Sequence, residues 1–331
     1  MPGFTTHHIF GILTYKKLNS KYIKDIIANN ISAYKLGLQG PDIFFYYLPN
    51  VIKNPEHSLG KIMHEVNTNT FFKNYFNEIN HYQEHMLDAA YAYISGFLCH
   101  YCLDTICHPY IYARTNYNPL PVKNKDNGKN IYSAHHRSFE TLIDSILLDR
   151  YTHKKHPQFL KENTIYLDQS TKKIITPLLA TCINKTYSGY IKLKPGFISR
   201  SIRFLQIESK ILSGLAHNRK HYVEQLENRF FKYNLLSSLI PDNVHTDTLD
   251  ALNLSHNIWH SPWEVSISRN DSFLNLMENA YKKCTILLNL VDSLLHYRKD
   301  SQNRFEYTCT DLSQILNEIG NLSYHSGLLI D

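Results

Sequence analysis

Apolar residues recur at helical spacing along most of the chain. From about 5 to 29 the inward positions are Ile9, Leu13, Tyr22, Ile26 and Ile27. A second helix is predicted over 59–78, with Ile62, Met63, Val66, Phe71 and Phe72 facing in and His64 on the same segment. The third, over 83–107, carries the apolar stripe Met86, Ala90, Tyr93, Phe97 and Tyr101. Beside that stripe runs a row that is small and then polar: Ala92, Gly96, His100, Asp104. Small residues there let another backbone come close, as a tight multi-helix site requires. Pro109 is expected to stop this helix and to bias His108 away from α geometry. A fourth helix over 132–151 turns Ile143, Ile146 and Leu147 inward. Further helices are predicted near 171–183, 195–228, 271–298 and 311–319.

Two breaks interrupt this pattern. Gly37-Leu38-Gln39-Gly40-Pro41-Asp42 reads as a turn and leads into the aromatic run 43–47. The stretch 114–130, rich in Asn, Pro, Asp and Gly, reads as a loop. No internal repeat or low-complexity segment appears, and the pattern as a whole predicts an all-α fold. We expect a helical core over 1–155 and a helical region over 156–331 packed on it.

Composition narrows the class. The 331 residues are 43% hydrophobic and 19% charged, with 12 glycines and 12 prolines, which describes an ordinary globular chain with few loops. A net charge of +6 suits an anionic substrate or membrane face but is too weak and dispersed to argue for a nucleic-acid binder. No run of 18 apolar residues predicts a membrane span. The start Met1-Pro2-Gly3-Phe4 lacks the basic and apolar regions of a secretory signal. Six cysteines, three of them between 99 and 107, do not resemble a disulfide framework. Together these lead to the expectation of a reducing, cytoplasmic location.

The 19 histidines are the compositional oddity. On a helix His100, Asp104 and His108 line one side at i, i+4 and i+8, and their outer Cα atoms are about 12 Å apart. That span suits two metal ions with a carboxylate between them. His136 and Glu140, again at i, i+4, would complete a three-residue site with His108. Asp144, one turn on, could orient a ligand. Asp42, in its Gly-Pro-Asp turn, and His64 are the best-placed partners for His100 and Asp104. Each residue also has a plain structural reading, Asp42 as a turn cap and the histidines as satisfied core groups. Cys99, Cys102 and Cys107 offer a rival zinc site, but zinc knuckles sit on turns and these lie within a periodic helix, where buried packing is the better reading.

Thr6-His7-x-x-Phe10-Gly11, Gly40-Pro41-Asp42, Gly60-x-x-x-His64, Gly96-x-x-x-His100-x-x-x-Asp104-x-x-x-His108-Pro109 and His136-x-x-x-Glu140 follow the order of motifs in the zinc-dependent phospholipase C family. The resemblance covers residues 1 to about 150. A softer likeness continues in Asn257-x-Trp259-x-x-Pro262 and Ser272-Phe273-x-x-Leu276. It implies the multi-helix phospholipase C/P1 nuclease-like bundle, here with additional C-terminal helices. It further implies that Asp42, His64, His100 and Asp104 hold one zinc and that His108, His136 and Glu140 hold a second. His7 would help hold a third, shared with Asp104, with His8 as the rival for that role. Secreted members begin at a mature Trp that binds the third zinc; Met1-Pro2 here leads us to expect an incomplete third site.

The activity so implied is phosphoester hydrolysis through a metal-bound hydroxide, with Asp42 as ligand and proton acceptor. The implied substrate is a phospholipid or other phosphodiester, which allows peripheral membrane contact and predicts no stable nucleic-acid complex. A nuclease or 3′-nucleotidase on the same scaffold would need aromatic platforms for bases, for which Trp259, Trp263 and Tyr46 are candidates. A metal-stabilised helical protein without activity is the third possibility.

Overall fold

The computed structural model describes residues 3–45, 47, 58–119, 127–194, 196–214, 220–230, 237–240, 250–300 and 309–330. In chain order the helices are α1 (Phe4–Lys17), α2 (Lys21–Asn29), α3 (Ile31–Gly37), α4 (Leu59–Glu65), α5 (Thr68–Ile79), α6 (Glu84–Arg114) and α7 (Asn127–Thr152). They continue as α8 (His156–Asn163), α9 (Gln169–Tyr187), α10 (Phe197–Gly214), α11 (Lys220–Phe230), α12 (Phe273–Asp300) and α13 (Cys309–Ile319). Short 3-10 turns cover Gly40–Phe44 and Ser237–Leu239. The fold is all-α in its core, as predicted. The addition is a hairpin of β1 (Trp259–Ser261) and β2 (Glu264–Arg269), paired antiparallel with a register shift between His260 and Ser261.

The central helix α6 organises the rest. Nearly every residue from Leu87 to Tyr112 is buried, so the expected stripe is in fact a whole apolar surface, the signature of a helix packed on all sides. α3 and α12 pack along it, and α1, α2 and α9 also contact it. The approach of α3 depends on two glycines. A Cβ on Gly96 would lie 2.2 Å from the Tyr34 carbonyl, and one on Gly37 would lie 2.1 Å from that of Tyr93. Backbone meets backbone there, as the small-residue row predicted.

Several boundaries differ from the sequence reading. The helix expected over 5–29 divides because Leu18, the C-cap of α1, turns extended and Ser20 begins α2. The segment 59–78 divides because Val66 is extended and Asn67 is left-handed (φ 56°), a conformation asparagine tolerates. The segment 195–228 resolves into α10 and α11, with 215–219 outside the described residues. Residues 120–126 of the expected loop also lie outside them, and α7 starts earlier than predicted, at Asn127. α8 and the hairpin were not anticipated.

The largest correction concerns Pro109. It does not end α6, which runs on to Arg114 and stops where Asn116 becomes left-handed (φ 55°). A proline inside a helix leaves the carbonyl four residues back without its amide partner. That carbonyl is Thr105 O, and Gly327 closes over it: a Cβ on Gly327 would lie 2.2 Å from this oxygen. The far end of the chain thus packs over the helix at its proline.

Gly327 belongs to a tight turn over 320–330, closed by Ser323 N–H to Leu328 O (2.8 Å) and Ile330 N–H to Asn321 O (2.8 Å). Thr68 Oγ1 donates to Leu322 O (3.1 Å), and Tyr101 Oη donates to Ile319 O (2.7 Å). These bonds seat the turn against α5 and α6, over the polar part of the central helix.

Candidate metal centre

Eight buried polar residues converge where α6 passes α1, α4, α7 and the Gly40–Phe44 turn: His7, Asp42, His64, His100, Asp104, His108, His136 and Glu140. These are the residues singled out from the sequence. Seven of them form two donor groups. Asp42, His64, His100 and Asp104 make an inner group, and His108, His136 and Glu140 an outer one. Within each group the donor atoms all lie within 4.8 Å of one another.

The inner group is built by close backbone approach. Gly40 is left-handed (φ 48°), and a Cβ there would lie 2.4 Å from the His100 ring, so only glycine lets the turn bring Asp42 alongside α6. Asp42 Oδ1 then stands 3.2 Å from His64 Nε2 and 3.7 Å from His100 Nε2. Asp104 Oδ2 stands 3.1 Å from His100 Nε2 and 3.6 Å from His64 Nε2. Its other oxygen turns to His7 Nε2 at 3.2 Å, and the His7 ring stacks on His100 with centroids 4.0 Å apart.

The outer group draws on both long helices. His136 Nε2 and Glu140 Oε1, one turn apart on α7, are 2.8 Å apart, and His108 Nε2 of α6 reaches the same oxygen at 3.7 Å. His108 is not freed at a helix end, as the proline had suggested. It lies within α6, and its Nδ1 bonds to Tyr324 O of the C-terminal turn at 2.7 Å.

Three of the rings are oriented in one manner. His64 Nδ1 bonds to Gly60 O (2.6 Å), His100 Nδ1 to Leu38 O (3.1 Å) and His108 Nδ1 to Tyr324 O. A carbonyl can only accept, so each Nδ1 carries the proton and donates it, and each Nε2 is left with a bare lone pair in the neutral ring. Those Nε2 atoms, with Asp42 Oδ1 and both Asp104 oxygens, are buried without a hydrogen bond. Their ion-pair separations thus lack hydrogen-bond geometry. Orphaned buried donors and acceptors are costly and rare, and here they point into shared spaces. A divalent cation in each group would satisfy its donors, and the nitrogen–carboxylate donor set suits zinc.

Protonation of these residues agrees. Burial opposes a charge on His64, but the Asp104 and Asp42 carboxylates overcome it and raise this ring to about 9. The same field favours a metal cation in place of that proton. Burial also opposes ionisation of Asp104, yet His100, His108 and His7 hold its carboxyl well below the usual range. Burial lowers His108 and His136 far enough to keep both neutral, the form that binds metal.

The chain matches the family model described as zinc-dependent phospholipase C over residues 5–197, more than half its length. It belongs to the zinc-dependent phospholipase C family. Comparison with curated proteins and comparison with solved structures yield no match. All eight convergent residues lie inside the matched span.

Other expectations divide. Asp144 orients no ligand of the outer group. It accepts from Thr5 N (3.1 Å), Thr6 N (2.8 Å) and Thr6 Oγ1 (2.5 Å), capping α1, the helix that carries His7. Gly3 has no side chain to cap that helix, so a carboxylate from α7 does so. His8, the rival to His7, packs edge-on against Phe159 (5.2 Å) and is pushed to about 3 by burial and by Lys35. Cys99 and Cys102 are buried free thiols outside both donor groups, and the Cys99 sulfur meets that of Cys284 at 3.3 Å. Trp259 is buried against Tyr110 with Arg269 over its ring, which rules it out as a platform. Tyr46 lies outside the described residues. Trp263 is part-buried and packs on Tyr112 (5.0 Å) and Tyr117 (5.3 Å), and Tyr112 in turn touches His136 (4.6 Å).

Two residues at the centre carry no sequence signal, Tyr324 and His325. Tyr324 N–H donates to His64 O (3.1 Å) while its carbonyl holds His108, so one residue braces both donor groups. Neither falls in a spaced motif or inside the family match.

Proposed function

We propose that the protein is a zinc-dependent phosphodiester hydrolase whose substrate is a phospholipid, cleaved at the head-group phosphoester. The observation that carries this reading is the convergence of orphaned Nε2 and carboxylate atoms into two adjacent donor groups. Asp42, His64, His100 and Asp104 would hold one zinc, and His108, His136 and Glu140 a second. His7 and the free side of Asp104 suit a third. Bound there, zinc supplies positive charge for phosphoryl oxygens and brings the pKa of coordinated water toward neutrality.

The protein's own part is to fix and to exclude. Backbone carbonyls lock three rings in the ligand tautomer, and burial keeps bulk water from the inner donors. Asp42 is the one inner donor with an exposed edge, its side chain being 7% accessible where the other three are at 0%. That position supports a second role as proton acceptor for an attacking water.

A second reading has one observation in its favour. The Tyr112–Tyr117–Trp263 rings beside His136 offer a surface on which a nucleotide base could stack. Zinc-loaded protein presented with phosphatidylcholine vesicles and, separately, with single-stranded DNA decides between them. We expect phosphocholine release that chelation abolishes and zinc restores. Nucleotide release alone would favour the second reading, and firm zinc binding with neither product would leave a metal-stabilised protein without activity.

A further inference from the structure

Besides His7, a second histidine ring at the metal centre belongs to neither donor group. His325 comes from the C-terminal turn and lies nearly parallel to the His64 ring, with centroids 5.3 Å apart and planes at 19°. It is also 5.7 Å from the His108 ring, so it stands over the seam between the two groups. Its side chain is 21% exposed, whereas those of His64 and His108 are not exposed at all. The turn holds it firmly, because Ser323 Oγ accepts from the amides of His325 (3.1 Å) and Ser326 (3.4 Å).

The two ring nitrogens have different surroundings. Nδ1 is 2.8 Å from Tyr112 Oη. Nε2 lies toward the half-exposed Glu65, whose Oε1 is 3.8 Å away and beyond hydrogen-bond reach. A neutral imidazole carries one N–H. When the Tyr112 hydroxyl donates to Nδ1, that N–H sits on Nε2, on a side chain that is 21% exposed.

We propose that His325, braced by Tyr112, contacts the substrate by donating a hydrogen bond from Nε2 to a non-bridging oxygen of a phosphoryl group lying across the two donor groups. This rests on the reading of the centre as a zinc site for phosphate esters. It places a substrate contact outside the span that matches the family, in a segment that also orients His108.

The test uses full-length, zinc-loaded protein and inorganic phosphate as probe, with affinity measured by calorimetry and zinc content by elemental analysis. His325→Phe keeps a ring on His64 and removes the donor. We expect phosphate to bind about 10- to 100-fold more weakly, the range for losing one hydrogen bond to a charged group, with zinc content unchanged. His325→Gln returns an N–H near the position of Nε2 and should recover most of the loss. Unchanged phosphate affinity in His325→Phe would mean that the ring merely neighbours Glu65 and overturns the proposal. Loss of zinc in that variant, failure of His325→Gln to recover, or no phosphate binding by the wild type would overturn it as well. Phosphate is not turned over, so the result stands even if no phosphodiester proves to be a substrate.

Discussion

The inner and outer donor groups contain similar residues but are supported differently. Inner donors are held by contacts within the N-terminal third of the chain. Gly60 O orients His64 within α4, Leu38 O orients His100 beside the turn that carries Asp42, and the Gly37–Gly96 contact locks α3 onto α6. Outer donors depend on distant chain. Tyr324 O orients His108 from 216 residues away, and His136 and Glu140 stand on a separate helix. The carbonyls that orient the inner rings thus come from the N-terminal third of the chain, whereas the one that orients His108 comes from the last turn. Shared chemistry here does not imply shared robustness.

The largest effect should come from removing a carboxylate from each group in turn. Asp104→Asn keeps the shape but loses the charge that faces His100, His64 and His7 together. We expect zinc to be lost from the inner group and hydrolysis to fall about 10³-fold, the upper range for removing one preorganised electrostatic contact. Glu140→Gln should release only the outer zinc. Zinc content and rates on the two variants check this, and retention of both metals by Asp104→Asn would break the distinction.

A smaller and more selective effect is expected at Gly327. Its φ of 70° and the 2.2 Å approach of a Cβ to Thr105 O mean that Gly327→Ala must shift the turn. The displaced Tyr324 carbonyl would no longer hold His108. Affinity for the outer zinc should fall about 10- to 100-fold, the usual range for losing an orienting contact to a ligand, while the inner zinc stays bound. Chelator competition on the two metals reads this directly. Equal weakening of both would show that the bond from Tyr324 N–H to His64 O matters as much as the carbonyl.

This difference also explains what was legible in the sequence. Donors spaced by one helical turn, His100 with Asp104 and His136 with Glu140, show themselves because helix periodicity is local. Gly40, Gly96 and Asp42 were readable as turn and small residues, although the contacts of Gly40 with His100 and of Gly96 with Tyr34 join distant parts of the chain. Tyr324, His325 and Gly327 were not readable, because their roles come from a turn docked across the whole chain. Pro109 misled for a related reason: its local rule is to end a helix, and the chain that packs over it lies at residue 327. Asp144 read by its spacing as able to orient a ligand, but its contacts, Thr5 and Thr6, lie 139 and 138 residues away.

Asp144 gives the smallest and most specific expectation. It stands on the outer group's helix, yet it caps α1, which brings His7 to the inner group, so it links the two supports. Burial raises its carboxyl from 3.8 to about 6 despite the hydrogen bonds from Thr5 and Thr6. A carboxyl with a higher pKa folded than unfolded makes the folded state the better proton binder. Its stabilisation is complete below about pH 4 and is lost as pH rises through 6. Asp144→Asn removes this titration and one capping acceptor. It should cost about 1 kcal/mol at pH 4.5, the usual cost of a lost cap, and less at pH 7.5, where the wild type carries a buried charge. Urea unfolding of both proteins at the two pH values measures the difference and cancels the titration they share. A cost that grows with pH would mean that the carboxylate form is the better cap, and that the outer helix secures α1 through charge rather than in spite of it.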